Sequence, residues 1–239
     1  IYTLSLHDAL PISTSMIANN GGLNQQRVDG GMAALCDALA ADLGDVVRLG
    51  SVVTKVTHDE TAVVTLASGE TIEARTVVST LPPRLAVALE YDPPLPQWRQ
   101  DVAEKVTPGN VIKAYLVYET PFWRERGLSG QSSSDEGAVR VTFDTTPVDS
   151  TRGLLMGFFE GNEADSLARR PLEVRRRAFV ESAVRAFGVE ASEPVEYLER
   201  DWSAEQYTRG CHGAHFAPGI WTSKDRKSTR LNSSHQPLS

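Results

Sequence analysis

The segment GNVIKAYLVY, residues 109–118, constrains the fold more than any other stretch of the chain. Its β-branched and aromatic residues read as a strand. Successive side chains of a strand point to opposite sides. Val111, Lys113, Tyr115 and Val117 therefore share one face, and Ile112, Ala114, Leu116 and Tyr118 share the other. Both faces are mostly apolar, so the strand belongs in the interior of a sheet. A lysine in the middle of such a strand costs free energy unless it meets polar partners or water. Two outcomes are open for Lys113. Burial would lower its pKa and make it a proton-transfer or water-orienting group; otherwise it snorkels to the rim of the sheet.

The neighbouring segments supply the rest of a layer. AVRVTFD and GLLMGFFEG read as further strands, and GLSGQSSSDEGA as a polar loop. RPLEVRRRAFVESAVRAFG reads as a helix, with Pro171 near its first turn and Gly188 at its end. Upstream, VDGGMAALCDALAADLG predicts a helix capped by Asp29, with Met32, Leu35, Cys36, Leu39 and Leu43 at helical spacing and Gly44 as its stop. Cys36 is expected to be a small core residue there. The runs VVRL, SVVTKV, TAVVTLASGETIEA and TVVST predict strands, with a hairpin turn at Ser68-Gly69. Pro82 and Pro83 end the last of them, YDPPLP reads as a rigid connector before a short helix, and EPVEYLERDWSAEQY as a linker. The order helix, strand, hairpin, strand implies an α/β layer with an antiparallel insert.

Charge and cysteine content narrow the function classes. The net charge of -7 argues against a general binder of nucleic acid or acidic membranes. The basic cluster Arg169, Arg170 and Arg175 to Arg177 reads as the solvated face of a helix, beside Glu173 and Glu181. Two cysteines make neither a disulfide framework nor a four-thiolate metal site, which points to reduced thiols and a cytoplasmic protein. No apolar run is long enough to span a bilayer, and no secretory signal is apparent at the start. The two ends read differently from the rest. IYTLSLHDALPI at the start and DRKSTRLNSSH at 225–235 both match, codon by codon, translated DNA-sequencing library adapters. Residues 1–13 and 225–239 are therefore expected to be artefacts around a piece of a longer gene.

Two further residues stand out as candidates for chemistry. Cys211 lies between Gly210 and Gly213 in TRGCHGAHFAPGIWT, where glycines permit close backbone approach to a ligand. A partly exposed thiol there could be a nucleophile, a covalent anchor or a structural residue. His212 and His215 stand nearby, but the spacing is a weak metal signal and no metal site is expected. Trp202, in DWSAEQY, is either core or the wall of a flat pocket. The chain contains no G-x-G-x-x-G, no phosphate-cradling lysine loop and no G-x-S-x-G.

Taken together, QQRVDGGMAALCDALAADLGDVVRLGSVVTKV, VVSTLPPRL, YDPPLPQWR, GNVIKAYLVYETPFW and DWSAEQYTRGCHGAHFAPGIWT resemble the flavin-containing amine oxidases of the monoamine-oxidase type. The resemblance covers nearly all of residues 21–222, and its most specific marks are VIK, PFW and the W-x8-C block. It implies a mixed α/β fold: part of a glutathione-reductase-like FAD-binding domain over 14–102, a substrate domain with a mixed sheet flanked by helices over 103–206, and the start of a C-terminal FAD-binding segment over 207–224. It also implies roles. The backbone of Val52 would contact the adenine of FAD, Lys113 would hold a water against flavin N5, and Trp202 would pack beside the flavin. Cys211 falls on the position that carries a covalent flavin bond in animal members. Phe143 and Phe158 would line the substrate cavity, with Val141 near its gate.

The pattern also departs from the family. His212 stands where animal members have a cage tyrosine, and a charged imidazole there would repel an ammonium group. The glycine-rich start and the C-terminal Gly-Glu flavin motif are missing from the chain, so the fragment alone is expected neither to hold FAD tightly nor to turn over. The implied activity is oxidation of a small-molecule amine to an imine, with O2 reduced to H2O2. A homodimer is compatible with it. The competing expectations are a polyamine oxidase, a carotenoid desaturase-like flavoprotein, or a fragment without enzymatic function.

Overall fold

The computed structural model describes residues 28, 30–211, 213–216 and 220. Asp29, the expected helix cap, and His212 lie outside the described residues. The chain divides into two units, at residues 1–51 and 52–239.

In the first unit the expected helix forms as α1, Met32–Leu43. Alanine and leucine, the strongest helix formers, dominate it. Gly44 ends it at φ 60, with its N–H bonded back to the Ala40 carbonyl. None of its residues is buried. Cys36 is exposed, contrary to its expected place in a core. The stripe Met32, Leu35, Leu39 and Leu43 is there, but no described residue of this unit forms a layer against it. The expected strand VVRL is also absent. A 3-10 turn, Gly44–Val46, replaces its start, and Val46 and Leu49 are 75% and 90% exposed.

The second unit begins with a four-stranded sheet of order β3-β2-β1-β4. Strands β1 (Val53–His58), β2 (Ala62–Leu66) and β3 (Thr71–Ala74) form the expected antiparallel meander. The turn at Ser68-Gly69 closes with the Gly69 N–H on the Leu66 carbonyl at 2.9 Å, and Gly69 has φ 87, where a side chain would be strained. Residues 76–80 form no strand, and Val78 is 68% exposed, because no ladder partner stands beside them among the described residues. Pro82 precedes the short helix α2, Pro83–Ala86. The expected connector YDPPLP instead begins in a strand. Glu90–Asp92 forms β4, parallel to β1, and α3, Gln97–Lys105, follows it.

The larger sheet follows, with order β10-β6-β9-β8-β7. The segment that opened the sequence analysis becomes β6, Val111–Tyr118, flanked on both sides as expected. Its neighbours β9 (Gly153–Glu160) and β10 (Glu196–Asp201) are both antiparallel to it. β7 (Ser132–Ser133) and β8 (Val141–Asp144) complete the sheet. A separate two-stranded ribbon joins β5 (Val106–Pro108) to β11 (Ala214–Phe216). The short helix α4, Phe122–Glu125, follows β6, and helices α5 (Gly161–Ala168) and α6 (Leu172–Phe187) follow β9. α6 has Pro171 before its first turn and Gly188 at its C-cap, as its sequence predicts.

The core lies on one face of this sheet. Ile112, Ala114, Leu116 and Tyr118 pack with Leu155, Phe159, Trp123, Phe179, Ala183 and Phe187. Gly157 must be small here, since a Cβ would stand 2.5 Å from Val139 Cγ1 and 2.8 Å from the Phe179 ring. Two polar groups fasten the edges of this core. The Asp144 carboxylate accepts hydrogen bonds from the Trp123 indole at 2.9 Å and Arg124 Nε at 2.6 Å. Burial pushes this carboxyl up, but bonds from Arg124, Thr146 and Trp123 outweigh it and hold the group below the usual range. Across the sheet, Arg175 of α6 clasps Glu199 of β10, Arg175 Nε bonding Glu199 Oε2 at 2.8 Å. Arg175 is thus a largely buried clasp and not part of a solvated face, while Arg169 and Arg170 are exposed as expected. The stretch expected to be a linker, EYLERD, is β10 itself.

Candidate functional site

The register of the larger sheet assembles the site. Lys113 of β6 pairs with Phe158 of β9 on one side and with Arg200 of β10 on the other. Two residues on, Tyr115 pairs with Met156, which also pairs with Phe143 of β8. Directly paired residues share a face, and so do residues two apart on one strand. Lys113, Tyr115, Met156, Phe158, Phe143 and Val141 therefore lie on one side of the sheet, opposite the core. All six are half-buried. This brings together four of the residues singled out from the sequence: Lys113, Val141, Phe143 and Phe158.

Lys113 is half-buried, so the fully buried outcome is not the one observed. Its ammonium group sits 5.5 Å from the centroid of the Tyr115 ring. A cation over an aromatic face is stabilised by the ring quadrupole. Neither Tyr115 nor Met156 stands out in the sequence as a candidate for chemistry. The period of two places Tyr115 beside Lys113 in the sequence, but Met156 needs the register between β6 and β9.

Trp202 and Cys211 come to the same end of the sheet. The strand pairing of β10 with β6 runs to Asp201 opposite Ile112, and the Trp202 N–H continues it onto the Val111 carbonyl at 3.1 Å. The Trp202 carbonyl accepts the Gly210 N–H at 2.9 Å, and the Cys211 N–H reaches the Gly109 carbonyl at 3.0 Å. Cys211 is a free, half-buried thiol. Gly210 has φ 148, and a Cβ there would stand 2.5 Å from Pro108 Cβ, so the loop lies hard against the end of β5 and the turn that leads into β6. Val52 stands apart in this respect. It precedes β1 in the four-stranded sheet, and its carbonyl accepts the Ala67 N–H at 2.8 Å. His212 lies outside the described residues.

A flat cofactor can be tested against this arrangement. The Trp202 indole nitrogen is buried and has no hydrogen-bond partner among the described residues. A buried N–H without a partner costs about 1–3 kcal/mol, so such a donor calls for an acceptor. The carbonyl and ring-nitrogen acceptors of a flavin suit it. An aromatic, half-buried sheet face with a lysine ammonium next to it also suits a flat, electron-poor ring. The residues present therefore fit a flavin.

The family profile of the flavin containing amine oxidoreductases matches residues 5–232. The chain belongs to that family. Among its relatives, AofH of Mycobacterium tuberculosis, named for a flavin-containing monoamine oxidase, is 39% identical over 201 residues, 84% of this chain and 44% of the relative. Putrescine oxidase of Kocuria rosea is 36% identical over 87% of this chain and 46% of its own length. A solved structure of wild-type putrescine oxidase bound to putrescine superposes with a TM-score of 0.77 at 37% identity, over 80% of this chain and 43% of that one. The chain thus spans less than half the length of these relatives. The mixed α/β architecture expected from the sequence is the one observed. Among the described residues no helix is long and apolar enough to cross a membrane.

Proposed function

We propose that this chain is the substrate-facing part of an FAD-dependent amine oxidase that converts an amine to an imine, with O2 reduced to H2O2. One observation carries the reading. Lys113 and the apolar residues Val141, Phe143, Met156 and Phe158 share the half-buried face of one sheet, at whose end the Trp202 indole N–H has no partner among the described residues. FAD, when bound, supplies the two-electron acceptor and its reoxidation by O2. The chain's own residues then have distinct tasks. Trp202 and Cys211 hold one side of the flavin, and Cys211 is a candidate covalent anchor. The Lys113 ammonium would donate a hydrogen bond to a water beside the bound flavin. Phe143, Phe158 and Val141 exclude bulk water and orient the apolar body of the amine. The Val52 backbone serves the adenine end; the amine-side role that the resemblance implies for His212 falls on a position outside the described residues.

Domain boundaries at 102, 206 and 224, adapter tails at both ends and a cytoplasmic parent belong to the same proposal. A long DNA read across both ends of the gene tests the tails. Continuation of the frame into a glycine-rich start and a Gly-Glu segment is expected; a native gene that stops at these ends would overturn it. The extended protein is expected to purify with about one flavin per chain and to release H2O2 with amines. The same assay with primary monoamines against putrescine separates monoamine from polyamine oxidation. Extended protein that is colourless and does not bind added FAD would refute the reading.

A further inference from the structure

We propose that Asn110 is a positioning residue, clamping the Trp202–Cys211 segment against the start of β6. The consequence for flavin rests on the function proposed above; the clamp itself does not.

Asn110 joins two other segments, α5 and the stretch after Trp202, through three of its polar groups. Its side-chain amide donates to the Asp165 carboxylate of α5. Its side-chain oxygen accepts the hydroxyl of Ser203, the residue after Trp202. Its backbone carbonyl accepts the Gly161 N–H at 2.9 Å, at the start of α5. The residues on either side of it bind the same segment through the backbone. Gly109 accepts the Cys211 N–H at 3.0 Å and donates to the Gly213 carbonyl at 3.1 Å, while Val111 accepts the Trp202 N–H at 3.1 Å.

These contacts are not redundant. The backbone bonds fix where the segment crosses β6, and any residue at 110 would allow them. Bridging the Asp165 carboxylate to the donating Ser203 hydroxyl takes a side chain with both a donor and an acceptor, which the asparagine amide supplies. The segment it holds is under conformational load. Arg209 has φ 49, an uncommon value for a residue with a side chain, and Gly210 has φ 148 with no room for a Cβ. A loop in such a conformation persists only where its surroundings over-determine it. The Asn110 bridge supplies one of the surrounding constraints, one residue from Trp202.

The test uses the thiol of Cys211 in the full chain carrying Cys36→Ala, so that Cys211 is the single cysteine. A chromogenic disulfide reagent reports its labelling rate. Asn110→Ala is expected to raise that rate by about fivefold, the factor that losing one ordinary hydrogen bond gives. Asn110→Asp is expected to raise it at least as much, since it sets two carboxylates against each other. Combining Asn110→Asp with Asp165→Asn restores a donor opposite an acceptor and leaves Ser203 a partner. That double variant is expected to return the rate to within about twofold of the parent. General loosening of the fold would not be cured by the exchange. An unchanged rate in Asn110→Ala, or no recovery in the double variant, would overturn the clamp. In the extended protein, the same Asn110→Ala change is expected to shift the visible absorption of bound flavin, and an unshifted spectrum would remove the link to the cofactor. A protein that binds no flavin would sink the function proposed above and leave the labelling result standing.

Discussion

The two faces of the five-stranded sheet are made by the same strands, yet they differ in almost every physical respect. On one face Ile112, Ala114, Leu116, Leu155 and Phe159 lose essentially all contact with solvent beneath α6. On the other, one residue along each strand, Lys113, Tyr115, Met156 and Phe158 stay half-buried. The covered face is closed by local sequence: helix α6 arrives shortly after β9, with Phe179 and Ala183 aimed at the sheet. The open face carries large apolar groups that nothing among the described residues seals. One face is built for stability and the other is the one proposed above to meet the ligand, and an alternation of period two separates them.

The largest effect should therefore come from paired truncations on opposite faces. Phe179→Ala empties a site with no solvent contact, beside Phe159 at a ring separation of 6.3 Å. It is expected to cost about 3–5 kcal/mol. Phe158→Ala, next along β9 from Phe159, is expected to cost less than about 1 kcal/mol. Urea unfolding of both variants checks the contrast, and equal costs would abolish the distinction between the faces. The clasp between α6 and β10 comes next. Glu199→Gln leaves the Arg175 guanidinium without its counter-charge, where the two side chains are only 14% and 12% exposed. A loss of about 3 kcal/mol is expected, and replacing both residues by methionine should recover most of it.

This clasp also shows why part of the fold was hidden in the sequence. β6 and α6 were legible because their signals are local: two apolar faces in one, a proline and a glycine bounding the other. β10 was not, because its inward side is Tyr197, Glu199 and Asp201. Charged residues turned toward a sheet face read as linker until Arg175 is known to stand opposite. β4 depends on parallel pairing with β1, a non-local contact that no short pattern encodes. The reverse error arose at VVRL and TVVST, where strand propensity exists without a ladder partner among the described residues. The same reasoning covers Cys36, whose helical stripe is real but uncovered. The candidate site shows in the sequence as residue types at Lys113, Trp202 and Cys211; that Phe158 stands directly beside Lys113 comes only from the register.

A smaller effect sharpens the covered face through pH. The Asp144 carboxyl lies below its ordinary range in the folded protein, because its hydrogen bonds outweigh the effect of burial. Its unfolded value is about 3.9. The stabilisation it gives is thus fully present above that value and is lost as the pH falls through the lower, folded one. Asp144→Asn is expected to lower stability at pH 7 by about 1.5 kcal/mol, the loss of charge-assisted bonding from Arg124 and Trp123. Below about pH 4 the gap between the variant and the parent should narrow. Urea midpoints measured at both ends of that window decide it; a gap that widens in acid would mean that Asp144 is not held ionised by these contacts.

The smallest effect on stability is expected where the largest effect on chemistry lies. Lys113→Met keeps the unbranched chain up to the ε position and removes the charge from a half-buried position on the open face. The cation over the Tyr115 ring is lost, but an uncompensated desolvation cost goes with it. The two terms oppose each other, so the urea midpoint should move by no more than about 0.5 kcal/mol in either direction. In the extended, flavin-loaded protein the same change is expected to slow flavin reduction by amine or reoxidation by O2, measured separately by stopped flow. Unchanged rates in both half-reactions would remove Lys113 from the chemistry. A stability loss comparable to that of Phe179→Ala would instead mean that this lysine belongs to the structural side of the sheet, and that the division between a stabilising and a reactive face is drawn in the wrong place.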